Sequence, residues 1–260
     1  MRRVRGAAIA CLAVLWLTAC STASTQDFGT AGGSRERALQ SYTQLGLRYL
    51  QAGDTASAKR PLQHALELDD TYAPAFNGLA LVFQAEDEPA LAEKYFRKAV
   101  SADPDSAMIH NNFGAFLFNS GRYDEACQEL YQAAEDPFYR QRAQAFENLG
   151  RCYRRIGESG KAEQSFRRAL SLSHQRPVAM VELADLLLIR GQPRAASELF
   201  GSFRELVDAR KVEYSPLSLW VGIRVARYER DASRASTYAL LLKNMYPEST
   251  EYRLYKESIQ

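Results

Sequence analysis

Few side chains in this sequence can do covalent or metal chemistry: four cysteines, Cys11, Cys20, Cys127 and Cys152, and three histidines, His64, His110 and His174. No histidine stands at metal-ligand spacing from a carboxylate or thiol, so all three are read as packing or surface residues. The sequence contains no Gly-rich phosphate loop, no G-x-S-x-G elbow and no H-E-x-x-H helix. Neither a catalytic residue nor a metal, nor a small-molecule substrate, is expected. The thiol whose setting suggests chemistry is Cys20, which ends the run Leu17-Thr18-Ala19-Cys20.

That setting suits acylation. Met1-Arg2-Arg3-Val4-Arg5 is a charged start, and the apolar run from Gly6 to Leu17 is too short for a permanent span, which needs about 20 residues. A cleaved signal peptide over 1–19 follows, and small residues before a cysteine resemble the bacterial lipobox. There the thiol takes a diacylglyceryl thioether and the new amino terminus is N-acylated, the one covalent group expected on the chain. Ser21, where an Asp would favour inner-membrane retention, points to the periplasmic face of the outer membrane. Several acyl chains on one residue anchor stably where one chain binds marginally. The small and polar segment from Cys20 to Ser34 then reads as a flexible tether spanning roughly 20 Å.

Bulk composition is ordinary. The 260 residues are 46% hydrophobic and 25% charged, with 33 basic against 31 acidic side chains, which excludes disorder and a disulfide-built scaffold. Residues 1–19 carry three arginines and no acid, leaving 30 basic and 31 acidic residues beyond them. Such a balance offers no electrostatic case for nucleic acid.

The elements that position everything else come from a repeat. Leu45-Gly46 recurs as Leu79-Ala80, Phe113-Gly114, Leu149-Gly150 and Leu183-Ala184, at steps of 34, 34, 36 and 34 residues. Twelve residues after each small residue comes an alanine, Ala58, Ala92, Ala126, Ala162 and Ala196, then Leu62, Phe96, Leu130, Phe166 and Phe200 four further on. This is the tetratricopeptide pattern, a helix pair per unit. It predicts an all-α fold: a right-handed superhelical solenoid of about six units at 39–72, 73–106, 107–140, 143–176, 177–210 and 215–248, with a capping helix over 249–260. Gly53, Asp87, Gly121, Gly157 and Gly191 fall at the turn inside each unit. Cys127 and Cys152 lie on neighbouring helices. A bridge between them is open, but two buried thiols are the favoured reading, since solenoid packing needs no staple.

With no catalytic motif, function falls to a surface. First helices line the concave side of such a solenoid, and their exposed positions include Thr43, Leu47, Leu50, Asn77, Leu81, Gln84, Asn111, Ala115 and Phe118. Apolar residues interleaved with amides suit an extended peptide: the amides bond its backbone while Leu47, Leu50, Leu81 and Phe118 take its side chains. The fourth unit adds Glu147, Arg151, Arg154 and Arg155, a cationic patch for an acidic segment.

The wording of the units narrows the reading. Tyr42-Thr-Gln-Leu-Gly-Leu-Arg-Tyr-Leu-Gln-Ala-Gly-Asp54, Asn111-Asn-Phe-Gly-Ala-Phe-Leu-Phe118, Phe146-Glu-Asn-Leu-Gly150 and Leu219-Trp-Val-Gly-Ile-Arg-Val-Ala226 resemble the type IV pilus biogenesis/stability lipoproteins, the PilW/PilF family. The resemblance covers essentially the whole chain beyond the signal. It implies a pilotin that binds the pilus secretin PilQ, carries it to the outer membrane by the anchor on Cys20 and promotes its multimerisation, with twitching motility downstream. The other reading keeps the fold and changes the partner, to β-barrel assembly or peptidoglycan hydrolases.

Overall fold

The computed structural model describes residues 30–259, so the signal segment and Cys20 lie outside the described residues. Thirteen helices, and no strands, occur among those residues. They pair in sequence: α1 (Thr30–Gln51) with α2 (Thr55–Leu68), α3 (Ala73–Ala85) with α4 (Pro89–Ala102), α5 (Ala107–Asn119) with α6 (Tyr123–Glu135), and α7 (Arg142–Arg155) with α8 (Ser159–Leu172). Two further pairs follow, α9 (Pro177–Ile189) with α10 (Pro193–Asp208) and α11 (Pro216–Tyr228) with α12 (Ala232–Met245), before α13 (Thr250–Glu257). None of these helices is long and apolar enough to cross a membrane.

Local chemistry sets the boundaries. Proline opens α4, α9, α10 and α11, where its missing N–H is not needed. Asp54, Asp231 and Ser249 cap α2, α12 and α13 by accepting from backbone N–H groups, and Ser215 with Ser218 forms a reciprocal capping box on α11. The left-handed turn expected inside each unit is realised even where glycine is missing. Asp87 adopts φ 58° in the second unit and Arg230 φ 60° in the sixth.

Packing follows the period. Ala58, Ala92, Ala126, Ala162 and Ala196 are all fully buried at the helix crossings. Phe96 and Phe166 fill the holes beside them without exposure. At the crossing of α7 and α8, a Cβ on Gly150 would lie 2.7 Å from the Phe166 ring, which is why the small residue belongs there.

Three expectations need adjustment. Helix α1 starts at Thr30, so residues 30–34 of the expected tether are helical. The cap ends at Glu257, leaving Ile259 exposed beyond it, while Tyr252 and Tyr255 pack on the core. Cys127 and Cys152 form a disulfide, with Cα atoms 5.6 Å apart, in place of the two free thiols favoured from sequence. The bridge ties α6 to α7 at the junction of the third and fourth units, where the two Cα atoms lie within bridging range.

Candidate functional site

First helices of successive units touch one another, α1 with α3, α3 with α5, and so on to α11, whereas no two second helices of neighbouring units do so among the described residues. The layer that stays in contact is the inner one, so the first helices line the concave face. Three rows of side chains run along it, each with one residue per unit. Thr43, Asn77, Asn111, Glu147, Val181 and Trp220 form the first, and Leu47, Leu81, Ala115, Arg151, Asp185 and Arg224 the second. The third is Leu50, Gln84, Phe118, Arg154, Leu188 and Arg227.

The first row has turned inward. Asn77 and Asn111 are 2% and 4% exposed, and their Oδ1 atoms accept from the Nδ2 groups of Asn112 and Asn148, each at 3.1 Å. Asn77 and Asn111, expected to meet a peptide, are therefore struts between units. Thr43 ends the series: the position that would supply its donor is Gly78, and the Thr43 hydroxyl is buried without a partner. Glu147 is likewise drawn in, accepting from Arg176 and from the Ala179 backbone N–H at 3.0 Å in the first turn of α9. That carboxylate satisfies a free helix-start donor and favours the helix dipole.

Arg154 is also spent. Its guanidinium bonds both Glu182 and Asp185, and Arg224 approaches the second oxygen of Asp185 at 2.7 Å. Asp185 is 3% exposed, so the two arginines hold a buried charge instead of waiting for an acidic partner. Burial pushes the neighbouring Glu182 carboxyl above its ordinary range, with Arg154 opposing. Sequence reasoning missed Glu182, Asp185 and Arg224. Opposite charges at one row position in consecutive units, Arg151 then Asp185 then Arg224, were the available signal.

What remains accessible is Leu47, Leu50, Leu81 and Phe118, all partly buried, and Arg151, which is exposed. Arg151 lies over the Phe118 ring, 5.0 Å from its centre, and Tyr123 meets the same ring edge-on at 5.3 Å. The concave face thus has an apolar stretch over the first three units that meets a cleft of 390 Å³. Phe118, Arg151 and Arg155 form one side of that cleft, and Leu217 of α11 and Glu251 of α13 the other. This arrangement suits an extended apolar segment ending at polar groups. It carries no nucleophile, and no group of residues fit to hold a metal occurs among the described residues.

Comparison with known proteins agrees with this architecture. Models described as tetratricopeptide repeat match residues 43–107 and 105–175. The type IV pilus assembly protein PilF of Pseudomonas aeruginosa is 39% identical over 250 residues, covering 96% of this chain and 97% of that protein. A solved structure of P. aeruginosa PilF superposes with a TM-score of 0.79 over 86% of this chain and 99% of its own, again at 39% identity. The crystal structure of PilW, a widely conserved type IV pilus biogenesis factor, gives a TM-score of 0.68 at 29% identity, covering 84% of this chain and 97% of PilW.

Proposed function

The chain belongs to the PilF and PilW family of tetratricopeptide proteins of type IV pilus biogenesis, and on that premise we propose that it is the outer-membrane pilotin of the pilus machinery. As a repeat scaffold it works by binding, not by catalysis. The partner we assign is the secretin PilQ, and the anchor is a lipidated Cys20 facing the periplasm. The observation that carries the proposal is a pairing: a lipobox, Leu17 to Cys20, precedes a full-length repeat body related to a pilus assembly protein.

The physics is direct. Anchoring confines the scaffold to one leaflet and raises the local concentration of whatever its groove holds. An unassembled secretin subunit presents strand edges prone to wrong pairing, and the apolar stretch from Leu47 to Phe118 offers them temporary cover. Cys20→Ala in cells tests the anchor. The variant is expected to stay folded and abundant while secretin multimers in the outer-membrane fraction fall several-fold. Normal multimers with an unanchored variant would overturn the pilotin assignment.

A further inference from the structure

On the outer face of the superhelix, the fourth and eleventh residues of each of the second to fifth units form two sides of a notch, and a residue of the second helix faces it. In the second unit that residue is Tyr95, whose ring lies 6.2 Å from Phe76 and stacks on Phe83 at 5.3 Å. Glu129 fills the place in the third unit by bonding His110, and Leu199 does so in the fifth by packing on the core. The fourth unit has Ser165 there, and its hydroxyl turns back to the Lys161 carbonyl at 2.8 Å. Between Phe146 and Tyr153 the notch therefore stays open, forming a cleft of 710 Å³ between α6 and α8.

Its rim is cationic. Arg142 reaches over Phe146 at 5.3 Å and Lys161 over Tyr153 at 5.5 Å, while Arg168 enters no ion pair among the described residues. Arg142 donates to the Ala134 carbonyl and to no carboxylate, so both arginines keep free donors. Glu135 is the one acid lining the cleft. An aromatic floor with unspent guanidinium groups around it complements an aromatic side chain flanked by carboxylates.

We propose that this cleft is a second docking site, taking a partner-protein segment that inserts one aromatic side chain between Phe146 and Tyr153, where Tyr95 sits in the second unit. Acidic residues on either side of that aromatic pair with Arg142 and Arg168. The site is independent of the concave groove and of the pilotin assignment, so the two can act on different segments at once.

The test uses the full chain and a fluorescein-labelled fifteen-residue peptide with one central Phe among acidic residues, followed by anisotropy at low salt. Control peptides replace the Phe by Ala or the acids by Lys. Binding to the acidic Phe peptide is expected to be at least about tenfold tighter than to either control. Ser165→Tyr puts the chain's own ring in the cleft and is expected to abolish binding with an unchanged melting temperature. Arg168→Glu, at an exposed site, is expected to weaken it about fivefold or more and remains informative if the tyrosine variant misfolds. Equal binding to the Ala peptide, or unchanged binding by a folded Ser165→Tyr variant, would overturn the proposal. So would a concentration-dependent self-association that Ser165→Tyr removes, since that would assign the cleft to Phe138, 90% exposed on the adjacent loop, of a second copy.

Discussion

Asn112 donates its side-chain amide to the carbonyl oxygen of Asn77 at 3.1 Å, across the boundary of the second and third units, and Asn148 repeats the bond to Asn111. Each buried oxygen depends on a donor from the next unit. Asn112→Ala strands the Asn77 oxygen, and an unpaired buried acceptor costs about 1–3 kcal/mol. Urea unfolding of the variant is expected to show a lower midpoint, with groove binding retained below it. An unchanged midpoint would mean that water replaces the strut.

The Cys127–Cys152 bridge closes a loop 25 residues long and pins α6 to α7. Disulfides of this kind contribute about 2–4 kcal/mol, mainly by restricting the unfolded chain. The double Cys→Ser variant is expected to melt several degrees below the oxidised protein, and a reducing agent is expected to bring the parent down to the same temperature. Equal melting of all three samples would leave the bridge without a stabilising role.

His110 places both ring nitrogens on acceptors, Nδ1 at 2.6 Å from Glu129 and Nε2 at 2.8 Å from the Pro104 carbonyl. A neutral imidazole has one N–H, so only the cation donates to both. The Glu129 hydrogen bond raises the His110 pKa, with burial opposing and Pro104 assisting. A raised value in the folded state means a contribution fully present below about pH 6.5 and lost as pH climbs through the raised value. Melting temperature is expected to fall over that window in the parent and to stay flatter in Glu129→Gln. Parallel curves would remove His110 as the cause.

Arg154 and Arg151 occupy adjoining places on α7 with different duties. Removing Arg154 leaves buried Asp185 with Arg224 alone, and stability is expected to drop by up to about 3 kcal/mol. Arg151→Ala removes an exposed guanidinium stacked on Phe118 and is expected to change stability by less than about 1 kcal/mol. Thermal melts of the two variants side by side check the division; similar losses would show that Arg151 is also part of the framework.

Leu50, Leu81 and Phe118 are three of the four apolar side chains left accessible along the groove, with Leu47. Polar replacement of each is expected to weaken capture of the purified secretin by about tenfold, the effect of losing roughly 1.4 kcal/mol. Circular dichroism matched to the parent separates lost contact from lost fold. Undiminished pull-down with folded variants would move the secretin site off the concave face.

The period was legible in the residues alone, and with it the helix pairs, the buried alanines from Ala58 to Ala196 and the turns at Gly53 through Gly191, because burial and backbone strain recur at the same place in successive units. It also placed the tetratricopeptide rows on one face. Which polar side chains on that face are free was settled only by the tertiary structure. Asn77, Asn111 and Arg154 carry groups that either water or a neighbour satisfies, and composition does not distinguish the two. The choice depends on the rotation from one unit to the next, which brings Asn112, Asn148 and Asp185 within bonding distance. The same rotation sets Cys127 against Cys152, and it turns a serine at one repeat position, Ser165, into an open cleft.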